Sequence, residues 1–76
     1  MIESLVLIEG NNVKKETLSI SLANAKHLVI GAVPPGSGWI LHVAATTFDD
    51  LGKALLKFAQ VPGVTGVLTL TLRTSQ

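Results

Sequence analysis

The sequence contains no cysteine, and its only histidines are His27 and His42. A chain without thiols can form neither a disulfide nor a thiolate-bound metal site, and this composition fits the reducing cytoplasm. Two histidines are too few for a zinc site unless carboxylates or a second chain complete it. We therefore expect a cytoplasmic protein that uses no metal and no cofactor.

Charged side chains are also scarce. They make up 14% of the 76 residues, whereas a typical soluble domain has about 25%. Residues 27–48 and residues 58–72 contain no Asp, Glu, Lys or Arg. Because most residues of so small a domain lie at its surface, part of this uncharged surface must be exposed or covered by a partner. We expect the chain to self-associate as a dimer or a multiple of a dimer.

Two classes of partner are not expected, a membrane and nucleic acid. A membrane-spanning helix needs about 20 apolar residues, and the uncharged stretch is interrupted by Pro34-Pro35-Gly36-Ser37-Gly38. Glu3 and Glu9 occupy positions where a signal peptide would be basic and then apolar. The net charge is +1 without a basic cluster, which argues against direct binding to nucleic acid.

Residues 48–60 show the periodicity of an amphipathic helix. Thr47 precedes them as an N-cap residue, and Pro62-Gly63 cannot continue a helix. Gly52 falls within the apolar face, either to let the helix backbone approach the sheet or as a tolerated glycine. The predicted apolar face consists of Phe48, Leu51, Leu55, Phe58 and Ala59.

Short apolar runs rich in β-branched residues predict strands at residues 2–8, 27–33, 39–45 and 66–72. In the third run, the odd-numbered residues from Trp39 share one face, and the even-numbered residues, including His42, share the other. In the last run we expect three side chains to face the helix: Leu68, Leu70 and Leu72.

Residues 13–25 allow two interpretations. Residues 17–22 alternate hydroxyl-bearing and apolar side chains, which favours a half-buried strand. Leu18 and Leu22 also lie on one helical stripe, and Asn12 is positioned to cap a helix. A strand would add a member to the sheet, whereas a helix would complete the β-α-β-β-α-β order of ferredoxin-like folds.

The chain is therefore expected to form a single α+β domain over residues 1–76. Its small, mostly antiparallel sheet would include a C-terminal β-α-β unit, in which the predicted helix joins two parallel strands by a right-handed crossover. The fold would be ferredoxin-like if residues 13–25 are helical.

No set of residues predicts catalysis, and we do not expect an enzyme. The adjacent Asp49 and Asp50 begin the predicted helix, where carboxylates complement the helix dipole. Glycines in the loop before Trp39 leave backbone N–H groups approachable, which suits a small anionic or amino-acid-like ligand. The alternative is a plain hairpin connection, with the strand histidine in a dry interface. The candidate ligand-binding residues are Gly36, Ser37, Gly38 and His42.

Three consecutive features of residues 36–72 are shared with a known family. They are a glycine-led loop entering an apolar strand (residues 36–43), a helix that begins Phe48-Asp49-Asp50-Leu51, and a Val61-Pro62-Gly63-Val64 turn. This order resembles the C-terminal effector-binding domain of Lrp/AsnC-type transcription regulators and is similar to other ferredoxin-like regulatory domains. The resemblance implies sheet-mediated dimers that bind amino acids or similar molecules between subunits. The chain shows no helix-turn-helix, so a complete regulator is not implied.

Two functions follow as expectations. The first is a small oligomeric, non-catalytic module that binds a small molecule at a subunit interface, as regulatory domains do. The second is a structural or protein-interaction subunit with no small-molecule ligand, whose uncharged faces are permanent contacts.

Overall fold

A computed structural model describes residues 1–33 and 37–74. Within these residues the chain forms four strands, one α-helix and a short 3-10 helix over Lys15–Leu18. The predicted α+β class is therefore confirmed. The strands are β1 (Ile2–Gly10), β2 (Ala25–Val33), β3 (Gly38–Ala45) and β4 (Val64–Thr74), and the α-helix is α1 (Phe48–Ala59).

The four strands form one sheet in the order β2-β3-β1-β4, and every neighbouring pair is antiparallel. Since β3 and β4 both pair with β1, they run parallel to each other on either side of it, and α1 connects them. In the same way, β1 and β2 run parallel on either side of β3. The two edge strands of the sheet are β2 and β4.

Helix α1 begins where the sequence predicts and ends within one residue of the predicted position. The Thr47 side chain accepts a hydrogen bond from the Asp50 backbone N–H at 3.1 Å, which is N-cap geometry. Beyond the helix, Gly63 adopts φ +92°, a conformation that residues with a Cβ rarely adopt. Its carbonyl oxygen accepts from the Asn11 backbone N–H at 2.9 Å, so this turn is joined to the end of β1.

The core lies between α1 and one face of the sheet. That face carries the even-numbered side chains of β1 and the odd-numbered side chains of β3. The predicted division of β3 into two faces is therefore confirmed, with His42 on the side opposite the core. The fully buried apolar residues are Val6, Ile8, Leu18, Leu41, Val43, Ala45 and Phe58.

The buried face of α1 is rotated from the predicted one. Leu51, Ala54 and Phe58 are buried against the sheet, and Leu55 is half-buried at the margin of the core. The buried stripe centres on Ala54 because its small side chain lets the helix lie close to the strands. Two residues of the predicted face are exposed, Phe48 at the start of the helix and Ala59 at its end.

The prediction that the leucines of β4 face the helix is wrong. Leu68 and Leu70 are 59% and 63% exposed, and Val67 packs against the core instead. The register explains this reversal, because Leu70 lies opposite Leu5 of β1, on the side of the sheet away from α1. Leu72, at an irregularity in the pairing, is also exposed. Over residues 67–70 alternation correctly separated the two faces of β4, but it did not identify which face is covered.

Residues 13–25 form neither the predicted strand nor an α-helix. After the 3-10 helix the chain follows an irregular path to β2, which begins at Ala25. Leu18, at the end of the 3-10 helix, is fully buried in the core. Side chains such as Ile20 and Leu22 then pack against the same core without regular backbone pairing. The helix on which a ferredoxin-like order depended is therefore absent from this segment.

Candidate functional site: the open face of the sheet

The side of the sheet opposite α1, which we call the open face, is not covered by any of the described residues. By the alternation of the strands, it carries the odd-numbered side chains of β1 and the even-numbered side chains of β3. The edge strands contribute their most exposed apolar residues to the same side. The large apolar side chains of the open face are Leu5, Leu7, Leu28, Ile30, Ile40, Leu68 and Leu70.

The strand register places these side chains next to one another. Leu7 lies between Ile40 on β3 and Leu68 on β4. Leu5 lies opposite Leu70, one step along the same two strands. Together these five residues line most of a shallow depression of about 230 Å³. The centre of the open face is thus a continuous apolar surface, which a monomeric protein seldom leaves exposed.

Charged groups lie at the two ends of this apolar surface. At one end, the two Glu3 carboxylate oxygens meet His42 Nε2 at 3.2 Å and Arg73 Nε at 2.9 Å. Lys26 lies in the same cross-strand row on β2. At the other end stands Glu9, which is exposed and has no ion-pair partner among residues 1–33 and 37–74. The two ends therefore differ in the sign of their charge.

The predicted ligand-binding loop has the geometry of a hairpin connection where it is described. Gly36 lies outside the described residues. Ser37 is exposed, and its backbone carbonyl oxygen accepts from the Gly10 N–H at 2.8 Å. Gly38 begins β3 and is buried, and a Cβ at this position would overlap the Ile8 carbonyl oxygen. Glycine at this position therefore allows β3 to pair closely with β1.

Within one chain, the structure does not bring His42 together with this loop. Gly38 and His42 lie on the same side of β3, but four residues of extended strand separate them by about 13 Å. The side chain between them on that side is Ile40. His42 is one-third exposed and bonded to Glu3, so it belongs to the charged end of the open face. Within one chain, a ligand contacting both groups would have to span this distance.

His27 and His42 do not form a metal site. His27 lies on the covered side of β2, where its ring packs edge-on against Phe58 with 5.3 Å between centroids, whereas His42 lies on the open face. Among residues 1–33 and 37–74, no three His, Asp or Glu side chains are grouped so that they could hold a metal ion. In the same part of the chain, none of the helices has both the length and the apolar character needed to cross a membrane.

No protein-family model, curated protein or solved structure matches this chain significantly.

One polar cluster was not identified from the sequence. The hydroxyls of Thr46 and Thr47 both donate to the Asp50 carboxylate, the latter at 2.9 Å. The Asn24 side-chain amide, which lies just before β2, also donates to it at 3.5 Å. The Thr46 hydrogen bond first, and then those from the other two donors, lower the pKa of Asp50 from its ordinary value. A Thr-x-x-Asp spacing ahead of an apolar run is the signal that would have revealed this capping arrangement.

Proposed function

We propose that the chain is a non-catalytic module that self-associates by burying its open face against a second copy. The observation that carries the proposal is the continuous apolar surface on that face. Exposed leucines such as Leu68 and Leu70 lie beside half-buried ones such as Leu7. Bringing two such surfaces together removes apolar area from water, which is the main driving force for association.

The size of the open face suits a homodimer. Four strands spaced about 4.8 Å apart, each contributing about eight residues at 3.3 Å, span roughly 500 Å². Two copies would therefore bury about 1,000 Å² in total, which reaches the lower limit for a specific interface. Two sheets packed in this way lie about 10 Å apart with their side chains interdigitated.

The charges at the two ends of the open face favour a second copy packed in the opposite orientation, end for end. One end has Lys26 and Arg73 against the single carboxylate of Glu3, so its net charge is positive when His42 is neutral. The opposite end has the unpaired Glu9. An end-for-end pair brings each acidic end near the basic end of the other copy, and such complementarity favours one orientation.

We also propose that this fold is related to ferredoxin-like domains. Two interleaved crossovers, β1 to β2 around β3 and β3 to β4 around β1, support a ferredoxin-like arrangement in which an irregular segment replaces the first helix. On this view the resemblance of residues 36–72 to Lrp/AsnC-type effector domains reflects a shared way of pairing sheets.

A second candidate function is small-molecule binding at the boundary between two copies. It is favoured by the end-for-end pairing, in which Ser37 and Gly38 of one copy approach the end of the other that carries His42, Lys26 and Arg73. The Ser37 backbone N–H already donates to the Val33 carbonyl oxygen at 3.2 Å, so the hydroxyl of the exposed Ser37 and the cations of the other copy are the groups that suit a carboxylate or another small anion. A ligand at a concentration 1,000 times its Kd would stabilise the folded state by about 4 kcal/mol. A thermal-shift screen of anions and amino acids detects a stabilisation of this size. The double variant Ser37→Ala/His42→Ala should reduce that shift.

Sedimentation velocity at micromolar concentration tests the self-association proposal. Wild type should sediment with a mass above the 8.0 kDa of one chain. The variant Leu28→Lys/Ile40→Lys, which charges the open face, should sediment with a lower mass than wild type while its circular dichroism stays unchanged. The matched control is Leu56→Lys, because Leu56 is 64% exposed on the far side of α1. A wild-type protein that sediments as a single 8.0 kDa chain contradicts the proposal.

A further inference from the structure

The two edges of the sheet differ in how they are protected from pairing with another chain. The β2 edge has a lysine, Lys26, and an irregularity between Val29 and Gly31 that interrupts its pairing. Charges and bulges of this kind block edge-to-edge association. The β4 edge has neither over residues 66–71, which pair with β1 without interruption and contain no charge and no proline. Arg73 and the shifts in β4 pairing lie towards the ends of that strand, so residues 66–71 form the longer regular run of unprotected backbone groups.

The sequence of β4 is self-complementary. Residues 68–72 read Leu-Thr-Leu-Thr-Leu, which is the same in both directions. An antiparallel pair of two such strands, centred on residue 70, sets Leu70 opposite itself and Thr69 opposite Thr71. For residues 69–71, like side chains then meet on each side of the joined sheet, and apolar pairs and threonine pairs directly across two strands are both favourable. Leu72 lies at the irregularity that ends this regular run.

We infer that β4 pairs antiparallel with β4 of a second copy, centred on Leu70, so that two chains share one eight-stranded sheet. The inference rests on the proposed self-association but uses a different surface, the edge rather than the open face. In the joined sheet, Leu68 and Leu70 of both copies form one apolar surface across the junction. The other side of the sheet carries one α1 helix from each copy.

Edge pairing and face pairing reinforce each other. Joining two sheets at β4 doubles the open face to roughly 1,000 Å², so that two joined sheets packed face to face bury about 2,000 Å². That area is in the range of permanent interfaces. The resulting assembly contains four chains, and each chain pairs with one neighbour through β4 and with another through its open face. Such an arrangement is a common closed symmetry for homo-oligomers.

Cysteine cross-linking tests the edge pairing directly, because the natural chain has no cysteine. A Leu70→Cys protein should form a disulfide-linked dimer under mild oxidation, since residue 70 of one copy would lie opposite residue 70 of the other. The Cα atoms of opposed residues are about 4.5–5.5 Å apart, which is within disulfide reach. Face-to-face sheets are about 10 Å apart, so face pairing alone does not produce this link. Leu28→Cys, on the protected edge, is the control and should stay reduced.

Masses in solution separate the inference from the proposed function. Thr71→Lys places one lysine from each copy at the β4 junction, on the side of the sheet away from the open face. Repulsion between these cations should separate the edge-paired copies and halve a four-chain mass to two chains. Leu28→Lys/Ile40→Lys should also halve it, and the combined variant should be monomeric. If Leu70→Cys does not cross-link and Thr71→Lys keeps the wild-type mass, edge pairing is wrong, although face pairing stands. If only the open-face variant keeps that mass, the proposed function is wrong and edge pairing alone accounts for association.

Discussion

The Trp39 indole N–H donates to the backbone carbonyl oxygen of Val13 at 2.6 Å. Trp39 is the second residue of β3, and Val13 lies at the start of the irregular segment that leads to β2, so this hydrogen bond joins the two. The segment has no strand pairing of its own, so side-chain contacts such as this one and the burial of Leu18 determine its path. The part of the covering layer that this segment supplies thus depends on individual contacts rather than on regular secondary structure.

Trp39→Phe should destabilise the protein by about 1–2 kcal/mol, because a smaller aromatic ring replaces the indole and the Val13 carbonyl loses its donor. Urea denaturation at a fixed protein concentration measures the change, since self-association also contributes to stability. Proteolysis should accelerate within residues 13–24 if the segment is held as described. A variant as stable as wild type would show that solvent replaces the indole without loss.

Leu51→Ala should destabilise by roughly 2–5 kcal/mol, the range for a leucine that is buried in a core. Leu56, five residues further along α1, is 64% exposed, so Leu56→Ala should change the free energy of unfolding by less than about 0.5 kcal/mol. The pair isolates burial, because helix propensity changes equally in both. Similar losses in the two variants would mean that the helix packs on the sheet with a different face.

Two glycine-to-alanine changes should have opposite effects. A Cβ at Gly52 would meet no atom within 4 Å, so the glycine is tolerated rather than needed for close packing, and Gly52→Ala should stabilise by about 0.5–1 kcal/mol. Gly63 has φ +92°, so Gly63→Ala should destabilise by more than about 1 kcal/mol. Thermal unfolding monitored by circular dichroism measures both. A loss of stability in Gly52→Ala would indicate an unrecognised contact at that position.

The Asp50 cluster should make stability depend on pH in the acidic range. The pKa of Asp50 is lowered in the folded state, so its contribution is fully present above its unfolded pKa, near 3.9, and is lost as the pH falls through the lower folded value. Wild type should therefore exceed Asp50→Asn in stability at pH 7, and the difference should shrink towards zero in stronger acid. Denaturation curves at several pH values test this. A difference that is independent of pH would assign the effect to geometry rather than charge.

The helix start was predictable from the sequence because its determinants are local. Thr47 needs only the backbone N–H of Asp50, three residues away, and the following turn needs only a residue that tolerates the conformation of Gly63. The opposite facing of Trp39 and His42 was predictable for the same reason, since alternation is a property of one strand. For the candidate site, the sequence predicted that His42 points away from the core, but not that Glu3 would bond to it.

What only the tertiary structure decided is which of two apolar faces is covered. β1 and β4 present apolar side chains on both sides, so periodicity separates Leu70 from Val67 without saying which of them meets α1. The conformation of residues 13–25 was likewise undetermined, because burying Leu18 and holding Val13 require β3 and the core to be in place. By itself the sequence determined the local elements and a shortage of charge. The position of the uncovered leucines on one open face depends on cross-strand register, which no single segment of the chain encodes.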